Sequence, residues 1–331
     1  MICEFVAAIH YLSIEEKEVK LYENAKIYGK REEEITSIFT SNQYLVSEIG
    51  MQNIISICRN SLFYWNSSHE NLNRKFGIET LHQIIHKMHA VVLLQVSGLW
   101  LIKDNSCFSH RGYLISHNRT SVESNIGGTF LSDSTGSNIE TSFTKEEIKT
   151  GFKIMEKLIG LFNRKPSNKS IDLGESDENF GAMSPFLDHF GSNRIKRAWG
   201  MIMTARSTVL IPMKIAFYIS SLECLLTTDS KEVTSKVAMR VALLIGGSGK
   251  EKISNKSLIV KAYDIRSKFI HGVGSKNKEV EQSKLVTLSR NIDQILRTIF
   301  LKIIEDENLT EKFLATNNEV INDYFDSLIY Q

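Results

Sequence analysis

The chain is poor in proline, with three in 331 residues. Few obligate helix breaks result, and with Leu, Ile, Lys and Glu common the composition favours helices. Cysteine is also sparse. Cys3, Cys58, Cys107 and Cys224 are far apart and form no CxxC pair, which excludes a disulfide framework and reads as reduced thiols in a cytoplasmic protein. A membrane-spanning helix needs about 20 predominantly apolar residues. The longest apolar run, Val91 to Ile102, is shorter and is interrupted by Gln95, Ser97 and Gly98. Met1-Ile2-Cys3-Glu4 has no basic start and no small-residue cleavage site follows, so neither a signal peptide nor a membrane partner is expected. Common catalytic signatures are missing too: there is no Gly-x-Ser-x-Gly, no local Cys/His signature and no dinucleotide fingerprint. Gly246-Gly247-Ser248-Gly249-Lys250 only imitates a phosphate loop. Leu244 stands where the first glycine belongs, and Glu251 follows the lysine where Ser or Thr is required. The segment reads instead as a flexible connection that ends a helix.

What is present is an uneven charge distribution. The formal net charge is only +2. From Arg194 to Glu305, however, there are 20 Lys/Arg against 9 Asp/Glu, whereas residues 1–193 carry 19 against 23 and residues 306–331 carry 1 against 6. A basic segment between acidic flanks suits a polyanionic partner such as nucleic acid, against the plainer reading of a solvated surface.

The hydrophobic pattern predicts a mainly α protein. Residues 1–103 read as mostly helical, with helices over Glu15–Tyr28, Leu45–Phe63 and Ile78–Gln95. Between Trp100 and Ser142, Gly, Ser, Asn and Thr separate short apolar pieces such as Gly112-Tyr113-Leu114-Ile115 and Thr129-Phe130-Leu131, which predicts a small β insertion. Trp100 reads as a buried tryptophan before a turn. Thr144-Lys145-Glu146-Glu147 has the form of a capping box that opens a helix to about Phe162. The predicted organisation is an N-terminal domain over 1–165, a polar linker over 166–193 and a helical domain over 194–331. Within the last, helices are expected over Arg194–Thr208, from Pro212 to Leu225, from a cap at Thr228-Asp229-Ser230 to Gly246-Gly247, over Ser257–His271, over Glu279–Ile304 and over Leu309–Ile329.

Two clusters carry candidate chemistry. The first is Tyr263-Asp264-Ile265-Arg266-Ser267-Lys268-Phe269-Ile270-His271-Gly272. On an ideal helix Arg266 and His271 lie about 140° apart, flanking a groove. Arginine is a permanent cation for a phosphate, and histidine gives or takes a proton near neutral pH. The plainer alternative is two cations that favour a helix C-terminus, with Gly272 as the cap. The second cluster is His82, His86 and His89, which share one helix face. Two histidines four apart can bind one zinc. Gln83 breaks the His-Glu-x-x-His pattern, and no further ligand lies nearby in sequence, so a polar helix border or a pH-sensitive contact is the expectation and no metal or other cofactor is assigned.

Three segments in order, Ser221-Leu222-Glu223-Cys224-Leu225-Leu226, Lys236 to Leu244 and the motif around Arg266, together resemble the Apea-like branch of the HEPN superfamily over about residues 194–305. Ser267 departs from the commoner Asn, Asp or His after the arginine. The resemblance implies a HEPN-type helical bundle that forms a homodimer, with the Arg-x4-His helices of two protomers meeting at one cleft. It further implies a metal-independent endoribonuclease, a toxin or anti-phage (abortive infection) effector with RNA as partner. A phage-derived or host trigger would act at the N-terminal domain. Arg266 and His271 would then be catalytic, the first at the scissile phosphate and the second as acid/base. Glu223 and Arg240 would brace the site or form a buried ion pair. Lys268 and Lys261 would contact backbone phosphates or remain solvated. The alternative is a HEPN dimer that holds RNA or a nucleotide without cutting it.

Overall fold

Ile2–Ile9 is apolar on both of its alternating faces except at Glu4, the pattern of a strand covered on both sides. The computed structural model describes residues 2–22, 24–30, 37, 39–77, 80–116, 118, 120–164, 192–272 and 278–329. These residues form two units.

In the first unit, Ile2–Ile9 (β1) is the strand around which a six-stranded sheet is built. Leu12–Ile14 (β2) leaves it, and Glu18–Tyr22 (β3) and Ala25–Tyr28 (β4) form a hairpin with a bulge between Lys20 and Tyr22. Helices Gln43–Ile49 (α1) and Met51–Arg59 (α2) follow, separated by Gly50 at φ +81°. Next come Ser61–Ser68 (β5), His69–Phe76 (α3) and Leu81–Gly98 (α4). Arg111–Ser116 (β6) and Val122–Ile126 (β7) complete the sheet, and Thr141–Phe143 (β8) pairs in parallel with β2. The sheet order is β3-β4-β5-β1-β6-β7, every neighbouring pair antiparallel. In its register Val6 faces Tyr64 on one side and Tyr113 on the other.

Both faces are covered. Cys3, Phe5, Ala7 and Ile9 pack with Val19, Ile27, Phe63 and Trp65 against Ile84, Ile85, Met88, Val92 and Val96 of α4. On the opposite face Val6, Leu62, Tyr113 and Ile115 meet Leu45, Ile49, Ile54 and Ile57 from α1 and α2. This corrects the expectation of a mostly helical N-terminal region with a small β insertion: the sheet is the frame, and it starts at the first described residue. Double-sided burial removed the polar half of β1's alternation, so no period of two is visible there. Glu15–Tyr28, expected to be helical from its Glu and Lys, is largely the β3–β4 hairpin. Its alternating Val19, Leu21, Ala25 and Ile27 are the overlooked signal. The expected Leu45–Phe63 helix is broken at Gly50 and gives way to β5 at Ser61. Thr129–Leu131 lies outside any strand, and Trp100 is fully buried in a single 3-10 turn, Leu99–Leu101. Leu81–Leu101 is long and apolar enough to cross a bilayer, which the run-length reading did not anticipate, but 67% of its apolar window is buried inside the protein.

Thr144 and Glu147 do form a capping box. The Glu147 N–H donates to Thr144 Oγ1 at 3.2 Å, and the Thr144 N–H to Glu147 Oε2 at 2.9 Å. It opens Lys145–Phe162 (α5), which belongs to the first unit as far as Met155 and to the second from Glu156.

The second unit is helical: Arg194–Arg206 (α6), Ile211–Leu226 (α7), Val233–Ile245 (α8), Gly249–Ile270 (α9), Lys278–Glu305 (α10), Glu307–Leu314 (α11) and Asn318–Ile329 (α12). Trp199, Tyr218, Leu222, Val241, Ile259, Leu296, Phe300 and Ile303 form its buried interior, with Trp199 edge-on to Phe300 at 5.8 Å. Ser132–Ser137 belongs here as well: Ser132 Oγ donates to the Thr208 carbonyl at 2.8 Å, and Ser289 Oγ to that of Ser134 at 2.6 Å. Apart from Ser192 and Asn193, the expected 166–193 linker lies outside the described residues. Helix α8 starts at Val233 behind Glu232, without a side-chain cap from the Thr228-Asp229-Ser230 segment. The expected last helix is two, parted at Ala315.

Candidate functional site

Helix α7 begins with Pro212 in its first turn, where a missing N–H costs nothing, and carries Glu223 near its far end. Helix α9 begins eight residues before the expected Ser257. Gly246 and Gly247 adopt φ +78° and +90° and end α8. Ser248 then caps α9 in a capping box with Glu251, the Ser248 N–H donating to Glu251 Oε2 at 2.7 Å. The segment that imitates a phosphate loop is thus a helix stop followed at once by a helix start. At the other end His271 is the C-cap residue, its N–H donating to the Ser267 carbonyl at 3.0 Å, and Gly272 turns the chain at φ +68°.

Arg266 and Glu223 meet across α9 and α7. Arg266 Nη1 lies 2.6 Å from Glu223 Oε1, and the two side chains are 28% and 24% exposed, so the pair is only partly withdrawn from water. Tyr263, one turn before Arg266, is half-buried beside them. Burial, then the Glu223 charge, pushes its phenol far above the usual tyrosine range and keeps it neutral. Neither Tyr263 nor its proximity to Glu223 was assigned a role from sequence, although positions 263 and 266 share a helix face. His271 is exposed.

The remaining expected residues divide. Ser267 is exposed beside Arg266. Lys268 is exposed but pairs with Asp264 at 2.6 Å, four residues back on the same helix. Lys261 is exposed and lines a groove of about 950 Å³ between α9 and α10 with Lys250 and Lys284; Arg266 is not among its lining residues. Arg240 is buried and acts elsewhere. Its Nη1 donates to the Leu226 carbonyl at 2.6 Å and to Thr228 Oγ1 at 3.2 Å, its Nη2 to Asn322 Oδ1 at 2.5 Å, and its guanidinium lies 5.1 Å from the Phe325 ring centre. It ties the end of α7 to α12. The Glu223–Arg240 ion pair considered from sequence does not form, because Glu223 faces Arg266.

The three histidines separate. The Nε2 atoms of His82 and His86 are 3.1 Å apart, and His82 Nδ1 is 3.9 Å from Glu123. His89 is fully buried, its Nδ1 3.2 Å from Asn125 Nδ2 and its Nε2 3.4 Å from Ser109 Oγ. Burial lowers its pKa to about 4. Among the described residues no group of three or more His, Cys, Asp or Glu is arranged to hold a metal ion.

Helix α9 is sparsely anchored. Of its residues only Ile259 and Ala262 are buried, while Ile253, Val260, Phe269 and Ile270 are 71%, 44%, 40% and 60% exposed. No protein-family model, curated protein or solved structure matches the chain, so the family resemblance rests on the residues quoted for it.

Proposed function

We propose that the second unit is a metal-independent endoribonuclease of HEPN type, acting in the cytoplasm as a homodimer in which two copies of α9 form one cleft. The observation that carries the reading is the placement of Arg266 and His271 on the last turns of one helix, both reaching solvent. In this reading the RNA's own 2′-hydroxyl attacks the adjacent phosphorus and passes its proton to the neutral His271 imidazole of one copy, the His271 of the other copy being the protonated acid. Arg266 stabilises the charge that builds on the non-bridging oxygens, and His271 gives a proton to the departing 5′-oxygen, so the products are a 2′,3′-cyclic phosphate and a 5′-hydroxyl. Glu223 holds the Arg266 guanidinium in place, and Lys261 remains a candidate phosphate contact. The excess of 11 positive charges over residues 194–305 and the exposed apolar side chains of α9 favour an RNA partner and a second subunit.

The test is cleavage of single-stranded RNA by purified protein in EDTA. His271→Ala is expected to lower the rate by about 10²–10⁴-fold, the usual contribution of a general acid or base. Cleavage that continues unchanged in that variant refutes the role of His271. One observation favours the second reading, a HEPN dimer that binds RNA without cutting: Arg266 is already engaged by Glu223. Salt-dependent RNA binding by wild type with no products under any condition would select it.

A further inference from the structure

A second cluster of arginines shares Glu223 with the sequence motif. A cavity of about 380 Å³ in the second unit is lined by Asn193, Arg194 and Arg197 at the start of α6, Glu223 and Thr227 of α7, and Asn318 of α12. Its size falls at the lower end of small-molecule sites and leaves room for a phosphate with its sugar. Arg194 is fixed in place: Nη1 donates to the Thr227 carbonyl at 2.6 Å and Nη2 to Asn318 Oδ1. Arg197 Nη1 donates to the Ser192 carbonyl. These acceptors are neutral. Among the described residues no carboxylate pairs with either arginine. Among the described residues the only carboxylate lining the cavity is Glu223, whose charge Arg266 already offsets. The Cys224 thiol also lines the cavity and hydrogen-bonds Arg197; burial pushes its pKa up, so it adds no negative charge. Burial, and then the neighbouring charges of Arg197 and Arg240, lower the pKa of Arg194.

We infer that this cavity is an anion site for the phosphate of a nucleotide, with Arg197 as the main donor and Arg194 and Asn318 as its rigid wall. Arg197 presents the fork of N–H groups that suits a phosphate oxygen pair, and its protein partners, the Ser192 carbonyl and the Cys224 sulfur, are both uncharged. The inference does not depend on RNA cleavage, only on phosphate as the ligand chemistry. The phosphate belongs either to an RNA strand that also reaches Arg266 or to a free nucleotide, and the two sources are separable.

The experiment uses the full chain, with inorganic phosphate, AMP and a short oligoribonucleotide as probes, followed by calorimetry and by thermal midpoint. Phosphate or AMP is expected to bind wild type and to raise its midpoint, as any ligand selective for the folded state does. Arg197→Gln is expected to weaken that binding about tenfold or more, the loss of one charge-assisted hydrogen bond, and Arg197→Glu to abolish it. The ligand-free midpoints of both variants report whether they fold. Weakened oligoribonucleotide binding in Arg197→Gln assigns the phosphate to the RNA strand; unchanged oligoribonucleotide binding beside lost AMP binding assigns it to a free nucleotide. His271→Ala is expected to bind AMP as wild type does, so a failure of the nuclease reading stays separate from a failure of this one. Wild type that binds neither phosphate nor AMP, or an Arg197→Glu variant that binds both normally, overturns the assignment.

Discussion

Breaking the Glu223–Arg266 pair should have a measurable and bounded cost. Two unit charges about 4 Å apart attract by about 4 kcal/mol at an effective dielectric of 20. That figure is a ceiling. The side chains are 28% and 24% exposed, so water and salt reach the pair and part of the attraction is lost to screening. A coupling of about 1–2 kcal/mol is therefore expected from a double-mutant cycle of Glu223→Gln and Arg266→Ala. Arg266→Ala alone should cost more than the coupling, because it leaves Glu223 facing the half-buried Tyr263 without its counter-charge. The assay is urea unfolding at neutral pH, with the four proteins compared at low salt and again at about 0.5 M salt, where a partly exposed pair should weaken. A coupling under about 0.3 kcal/mol, no larger than the usual error of additivity, would mean that Glu223 does not hold Arg266 in solution. The argument that a carboxylate on α7 positions the guanidinium would then fail, whatever the nuclease assays report.

The buried His89 predicts acid sensitivity of the first unit. Unfolded, it takes up a proton near the ordinary 6.5, whereas folded it does so only at about 4. Its contribution is therefore complete above pH 6.5 and is lost as pH falls towards 4, by about 3 kcal/mol in all. His89→Gln should flatten that slope in urea titrations across the window, and an unchanged slope refutes the linkage. Gly98 in α4 has no room for a side chain: a Cβ there would sit 2.6 Å from the Met155 Cβ and 2.9 Å from the Gly151 carbonyl oxygen. Gly98→Ala should lower stability by about 1–3 kcal/mol, and a thermal midpoint equal to wild type would show that α4 and α5 separate easily.

The helices of the second unit were legible because their ends carry local chemistry. Pro212 marks the start of α7, Gly246 and Gly272 mark the stops of α8 and α9, and Asn193 caps α6 by accepting from the Lys196 N–H. The missed start of α9 was equally local, since Ser248 and Glu251 are the two halves of a capping box. It was hidden only by the competing likeness of the same residues to a phosphate loop. The sheet was not legible, for a different reason. Periodicity reports a strand when one face is wet, and β1, with Phe5 and Ile9 on one face and Val6 on the other, has none. At the candidate site the motif gave Arg266 and His271 but not their neighbours. Which carboxylate meets Arg266, and that Arg240 turns to α12 instead, depends on how α7, α8 and α9 cross, and helix crossings leave no mark in the local pattern.

The position of β1 between β5 and β6 has a consequence for how this chain is made. Its two hydrogen-bonded neighbours lie some 60 and 110 residues downstream, with Phe5 opposite Trp65 and Leu114. While a ribosome is still adding β6, β1 has one open backbone edge along a strongly apolar strand, a combination inclined to pair with another molecule. Synthesis interrupted short of Arg111 should therefore leave a sticky fragment, and the nascent chain has reason to need a chaperone until Ser116 has cleared the exit tunnel.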